Sequence, residues 1–351
     1  MTSTRITILG AGPAGLGAGY RAALAGHDVT ILERGDRVGG LAGSFEVGGV
    51  RVDHGSHRLH PATNPALLAE LDRLLGGDLQ TRPRHGRIYL EGRWIAFPLQ
   101  AADLVAHLPP TFALSAARDA LLAPLRRPKD DTFAGLLLAG LGPTMCERFY
   151  FPYARKLWGL EPDEIDGEQA RRRVSGNAAG KLLRKLTGSG KTGGVFHYPR
   201  RGFGQLWEAL AGAAGSAGAR ILLSSAVSAV ELGEDGFSVA TPAGEHRSDL
   251  VWSTIPLPVL ARLFHPPPSD EVLAAASSLR SRAMLLVYLV LDRDRYSEYD
   301  AHYLPDSRTP VSRISEPKNY RDGEDPSGRT VLCAEIPCAV GDDLWAAPDA
   351  G

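Results

Sequence analysis

Hydrophobic positions near the N-terminus come in short unbroken runs set apart by glycine, whereas further on they recur every three or four residues. Arg5-Ile6-Thr7-Ile8-Leu9 predicts a buried strand, Gly10 to Gly19 a glycine-rich turn entering a helix, and Asp28-Val29-Thr30-Ile31-Leu32 a second strand. Together they make a βαβ unit. Between 63 and 76, Leu67, Leu68, Leu71, Leu74 and Leu75 fall at helical spacing, starting near Thr63 or Asn64 and stopping at Gly76-Gly77. From Arg87 the segment RIYLEGRWIAF predicts two strands around Glu91-Gly92. Residues 101–150 carry helical patterns broken at Pro109-Pro110 and Pro143, an inserted α-rich lobe. After Gly202 and Gly204 come a helix (QLWEALAGAAG) and β-like runs at 220–231, 236–240 and 249–255, read as a small meander ending in a buried strand. Pro266-Pro267-Pro268 punctuates a connection, and 283–291 has the composition of a central strand.

Composition narrows the class. The 351 residues are 44% hydrophobic and 23% charged, ordinary for a globular chain and unlike a disordered, collagenous or disulfide-scaffold protein. A net charge of -1 supplies no global field for nucleic acid or an anionic membrane. Cys146, Cys333 and Cys338 are odd in number and form no CxxC pair, so neither a disulfide framework nor a thiolate metal site is expected, which fits a reducing cytoplasm. The N-terminus lacks a secretory apolar stretch and reads as a mature start. The longest apolar run, Ala283 to Leu291, is nine residues, far short of the roughly 20 that span a bilayer. Between Arg155 and Arg201 stand eleven Lys/Arg against five acidic residues, read either as a solvated helix and loop or as a cationic rim for an anionic small-molecule substrate. Gly190-Lys191-Thr192 is rejected as a phosphate loop because that motif needs glycine where Lys185 stands.

The chemistry-bearing motif is Gly10-Ala11-Gly12-Pro13-Ala14-Gly15, a GxGxxG placed between a strand and a helix. Gly10 permits the tight turn, Gly12 lets a pyrophosphate approach the backbone, Pro13 shapes the first helical turn, and the helix start offers N–H groups and a positive dipole end. Gly19 lets the helix press on the sheet. Glu33, at the end of the second strand, is placed to accept ribose hydroxyls and to repel a 2′-phosphate. FAD or NAD fits that acid; NADP fits poorly.

Arg34-Gly35-Asp36-Arg37-Val38-Gly39-Gly40-Leu41 follows directly, and Asp53-His54-Gly55-Ser56-His57 comes soon after. The ExxxxxGG string resembles the FAD-binding signature of the amine oxidase and protoporphyrinogen oxidase superfamily, which includes UDP-galactopyranose mutase. VDHGSHRLHP (52–61) is similar to that family's segment beneath the flavin ring, YARKLWGLEPDEID (153–166) to its Y-x-x-K-x-W-G stretch, and FHYPRRGFGQLWEAL (196–210) to its YP-x-G-G segment. The resemblance implies FAD as cofactor, held by Gly10, Gly12, Pro13, Ala14, Gly15, Glu33, Arg34, Arg37, Gly39, Gly40, Leu41, Gly55, Ser56, His57, Val227 and Thr254. Val227 is expected in the strand after Ser224-Ser225, its backbone against adenine. His57 is the catalytic candidate, near the flavin ring. Arg58, Tyr153, Arg155, Lys156 and Trp158 are candidates for the substrate cavity.

His54, His57 and His60 lack the acid-histidine surroundings of a metal site, and no metal is expected. Glu161, Asp163, Glu164 and Asp166 are read as capping and solvating a following helix. The implied fold is α/β: an FAD-binding Rossmann-like domain of the glutathione-reductase type with a second α+β substrate domain. The expected division is 1–76 and 195–260 for the FAD domain, 77–194 for an inserted mostly helical substrate domain, and 261–351 for the substrate-domain sheet. The family's closing glycine-rich segment at the flavin ring has no counterpart after Leu344-Trp345. The expected function is an FAD-dependent oxidoreductase taking a hydride from a small molecule. A redox-neutral, mutase-like flavoenzyme on a sugar nucleotide and a truncated FAD-binding module without catalysis stand as alternatives.

Overall fold

Ile6 and Ile8, on alternate positions of the strand Arg5–Leu9, face the same way as Val29 and Ile31 of Asp28–Leu32, and all four are buried under helices. The covering helices are Pro13–Leu24, through Leu16 and Tyr20, and Gln205–Ser216, through Leu210 and Ala214. Leu9 and Leu32 point to the opposite face, where Val230 and Val239 cover them. The two central strands are therefore covered on both faces, as their mainly apolar sequences require. Its four strands run parallel in the order Leu250–Ser253, Arg5–Leu9, Asp28–Leu32, Arg220–Leu222.

The computed structural model describes residues 3–99, 101–173 and 194–348. Their chain divides into two units. Unit 1 is Met1–Thr81, His197–Arg280 and Arg321–Asp325; unit 2 is Arg82–Phe196, Ser281–Tyr320 and Pro326–Gly351. Besides its parallel sheet, unit 1 holds a meander of Ala229–Gly233, Gly236–Thr241 and Gly244–Ser248, with the short strand Phe264–His265 along its edge. It also holds the hairpin of Ser44–Val47 and Val50–Asp53. Unit 2 carries a six-stranded sheet in the order Arg282–Leu291, Thr330–Ala339, Arg313–Ser315, Ala301–Tyr303, Gly86–Leu90, Arg93–Phe97. Its helices include Pro110–Leu122, Phe133–Leu141 and Phe151–Trp158.

Several expectations meet corrections. The run 220–231 is not one strand: Ser224 takes a φ of 51°, and the N–H groups of Ser224 and Ser225 turn to Gly35 O and Glu33 O. Val227 consequently lies between strands, half-buried against the meander's core. The strand Gly244–Ser248 carries no apolar alternation and was not foreseen. Leu250–Ser253 is an edge strand with Leu250 and Trp252 exposed, where a buried strand was expected. Among the described residues Arg282–Leu291 likewise pairs only with Thr330–Ala339, at the edge of its sheet, so its apolar composition does not mark a central strand. Residues 261–280, expected with the substrate sheet, go with unit 1, because Phe264–His265 extends the meander and Leu260, Leu263 and Phe264 pack on Val230 and Val239. Among the described residues no helix is long and apolar enough to cross a membrane.

Candidate functional site

The glycine turn of unit 1 is built by close approach. Gly10 has a φ of 100° and donates its N–H to Leu32 O at 2.8 Å. A Cβ on Gly15 would stand 1.9 Å from Gly10 O, so only glycine lets the helix start against the turn. Gly19 meets Ile31 in the same way, 2.5 Å from its Cδ1. Gly12 differs: a Cβ there would meet nothing within 4 Å. Gly12 is also the N-cap of Pro13–Leu24, no side chain caps that helix, and its first turn holds no acid. The positive end of the helix thus opens onto free space at the one glycine of the GxGxxG motif that packing does not demand, a cradle suited to a diphosphate.

The ExxxxxGG segment wraps this turn. Glu33 accepts the Ala11 N–H at 2.8 Å and the Gly35 N–H at 2.9 Å, one on each carboxylate oxygen. Each oxygen keeps a second lone pair for a ribose hydroxyl. Gly39 (φ 103°) donates to Ala11 O at 2.8 Å, and a Cβ on Gly40 would lie 3.4 Å from the Gly12 Cα. Thr254 steadies the turn from the far side, its hydroxyl on Leu9 O at 2.8 Å. Arg34 is exposed; Arg37 is exposed and paired with Asp36; the Leu41 side chain is 86% exposed.

A second cluster holds the segment after Asp53. The Asp53 carboxylate is 3% exposed and accepts from the Ser44 hydroxyl at 2.6 Å, the Phe203 N–H at 2.9 Å and the Tyr198 hydroxyl. Burial pushes its pKa up, against the pull of these donors. Gly55 (φ 89°) turns the chain so that the His57 ring stacks on Phe203, 5.3 Å between centroids. Nε2 of His57 lies 3.0 Å from Leu41 O and 2.9 Å from His54 O. Both partners are acceptors, so Nε2 carries a hydrogen and donates to them. His54 stacks on Phe45, and burial lowers its pKa. His60 accepts the Ala62 N–H. Asp53, Ser44, Tyr198 and Phe203 were not singled out from the sequence, although the segments VDHGSHRLHP and FHYPRRGFGQLWEAL contain three of them. Arg58 is partly buried beside His57.

The other predicted substrate residues belong to unit 2, where internal contacts account for each. Tyr153 stacks parallel to Phe149, and Trp158 packs edge-on against Phe133 in a helical core. Lys156 spends its ammonium on three backbone carbonyls, Leu304 O at 2.6 Å, Val311 O at 3.1 Å and Asp306 O. Burial draws its pKa down to about 8. Arg155 pairs with Glu161 at 2.7 Å. Arg155 and Lys156 border one cavity of about 370 Å³, with Pro152, Ser307, Thr309 and Pro310. Asp166 does cap a helix, accepting the Glu168 N–H at the start of Gly167–Arg173. Of the basic excess, Lys181, Arg184, Lys185 and Lys191 lie outside the described residues, as does Gly190-Lys191-Thr192.

A parallel sheet, an uncapped glycine-led helix and an acid closing the second strand define a dinucleotide-binding protein. Comparison with known proteins sharpens this. The sequence matches the flavin-containing amine oxidoreductases over residues 13–350. A Mycobacterium tuberculosis H37Rv protein that carries the name flavin-containing monoamine oxidase AofH is 31% identical over 267 residues, 72% of this chain and 56% of that protein. Among solved structures, reduced UDP-galactopyranose mutase has a TM-score of 0.79 at 20% identity, covering 95% of this chain and 74% of that one. A protein described as a protoporphyrinogen oxidase, from Exiguobacterium sp. 255-15, has 0.72 at 20% identity, covering 96% and 78%. These two likenesses concern the fold. The chain belongs to the flavin-containing amine oxidoreductase family, whose cofactor is a flavin. It spans 56% of the length of the curated relatives it matches.

Proposed function

We propose that this chain binds FAD in unit 1 and takes part in flavin-dependent oxidation of a small molecule. The observation that carries the reading is the open, uncapped start of Pro13–Leu24 at Gly12, flanked by Gly39-Gly40 and Glu33. The diphosphate would rest on the helix N-terminus and the Gly12 backbone, and the adenosine ribose on the remaining lone pairs of Glu33. His57, Gly55 and Ser56 would meet the flavin half, with the His57 imidazole held as the Nε2–H tautomer by Leu41 O and His54 O. A bound flavin supplies hydride acceptance. The protein's share is to bind the dinucleotide, orient its ring and hold the His57 imidazole in place through its Nε2–H.

The test is the absorption spectrum of the purified chain, with chromatography of any released cofactor, followed by anaerobic addition of primary and secondary amines. Bound FAD that amines bleach and air restores supports an oxidase. Turnover of a sugar nucleotide only after chemical reduction supports the mutase-like alternative, and flavin that nothing turns over supports a binding module. A chain that stays colourless after reconstitution overturns the proposal.

A further inference from the structure

We propose that Asp53 is a positioning residue whose carboxylate sets the place of His57 and of the 39–43 turn against which the flavin lies; the inference rests on the flavin reading above. Asp53 gathers donors from three separated stretches of unit 1: Ser44 across the hairpin, Tyr198, and the Phe203 N–H in the turn that leads into Gln205–Ser216. Ser44 Oγ, while donating to Asp53 at 2.6 Å, accepts the Gly204 N–H at 2.7 Å. A Cβ on Gly204 would come within 2.4 Å of Ser44 N, so glycine is needed for that approach. From here the linkage runs outward by contact. Phe203, fixed by Asp53, is the face on which the His57 ring stacks, and His57 in turn holds Leu41 O. The 3₁₀ turn Gly40–Ala42 thereby has its place set from a buried carboxylate several residues away.

The chemistry of the donors explains why an acid stands here. Phe203 N–H cannot reverse its polarity, and it shares Asp53 Oδ1 with the Ser44 hydroxyl, so an oxygen must stand at that position. The Tyr198 hydroxyl alone is able to turn and accept. An amide therefore satisfies the cluster in one orientation, with its oxygen on Ser44 and Phe203 and its nitrogen on Tyr198, whereas a methyl group satisfies none of it. This ordering separates positioning from simple stability.

The experiment titrates FAD into the apo form of the full chain by fluorescence quenching, with thermal melting alongside, for the wild type, Asp53→Ala, Asp53→Asn, Tyr198→Phe and the control Thr132→Ala. Thr132 caps a helix of unit 2 through the Gly135 N–H, so its loss lowers the melting temperature without touching this cluster. Asp53→Ala is expected to raise the FAD Kd about tenfold or more. Asp53→Asn should recover most of that, Tyr198→Phe should shift it a few-fold, and Thr132→Ala should leave it unchanged. If Asp53→Ala fails to fold, Tyr198→Phe decides against the control. Kd values for Asp53→Ala and Tyr198→Phe within twofold of wild type, or a Kd in Thr132→Ala raised as much as theirs, overturn the positioning role while leaving the flavin reading intact. A wild-type chain that takes up no FAD overturns both.

Discussion

Gly12 and Gly15 stand three residues apart and answer opposite demands. Gly15 is required by the protein itself, since a methyl group there would sit 1.9 Å from a backbone oxygen. Gly12 has open space and an extended backbone, φ -74° and ψ 179°, that any residue can adopt. Gly15→Ala is therefore expected to destabilise the apo chain by roughly 1–3 kcal/mol or more. Gly12→Ala should melt like the wild type but bind FAD at least about tenfold more weakly, because its methyl group fills the space meant for the diphosphate. Melting curves of the apo proteins with FAD titrations check both, and undiminished FAD binding by Gly12→Ala would move the diphosphate elsewhere. A regular expression treats the two glycines alike; only the packing around them tells a ligand's glycine from the fold's.

His302 makes a second prediction at this scale. It is 2% exposed in unit 2, accepts the Arg87 Nε–H at 2.8 Å, and is ringed by Trp94, Tyr296 and Tyr299. Burial, with the adjacent Arg87 charge, draws its pKa down to about 4 from the ordinary 6.5. Above pH 6.5 the imidazole is neutral folded and unfolded, and its contribution to stability is complete. As pH falls from 6.5 to 4 the unfolded chain gains a proton that the folded chain does not, so stability is lost, about 2 kcal/mol between about pH 7 and 5. Denaturant midpoints at the two pH values should show this loss, and His302→Gln should remove this part of it.

At the level of elements, the Y-x-x-K-x-W-G stretch reads as a fastener inside unit 2. Trp158 is fixed against Phe133, and Gly159 ends the helix Phe151–Trp158 at a φ of 64°. Arg282 covers that end, donating to Lys156 O and Leu157 O at 3.3 Å, where a Cβ on Gly159 would lie 2.7 Å from the guanidinium. Lys156 fills a socket of three carbonyls from the 304–311 loop. Lys156→Met leaves those carbonyls without their donor, and Lys156→Arg brings a planar fork that cannot cap three convergent oxygens. Both variants should expose the loop, which trypsin reports by faster cleavage after the exposed Arg308. Cleavage at the wild-type rate would refute the fastener. The spacing of the stretch marked it as unusual, but the carbonyls that Lys156 meets lie about 150 residues on, where no local pattern points to them. The hairpin at Glu91-Gly92 was legible for the converse reason: both strands and the turn, with φ of 51° and 78°, are contiguous.

Across the whole molecule, what was legible followed sequence distance. The βαβ unit, its glycines and Glu33 are neighbours in the chain, and the ExxxxxGG string that carries the family resemblance follows them directly. The extent of each unit does not, because the chain passes between them at Thr81, Phe196, Arg280, Tyr320 and Asp325. Edge and centre of a sheet were also beyond reach, since Arg282–Leu291 has the composition of a middle strand and the pairing of a marginal one.

The parallel sheet of unit 1 has a consequence for the chain's birth. Arg5–Leu9 pairs on one side with Asp28–Leu32, made almost at once, but on the other with Leu250–Ser253, whose Asp249 neighbour is 244 positions from Arg5. At roughly 5–20 residues per second the ribosome needs about 10–50 s to deliver that strand. Until then the first strand keeps one raw edge, and the helix Gln205–Ser216 that shields Ile6 and Ile8 is likewise still to come. Within this sequence the nucleotide motif is made long before the strand and the helix that seal its sheet, so its apolar face and one strand edge stay exposed while the intervening residues are added.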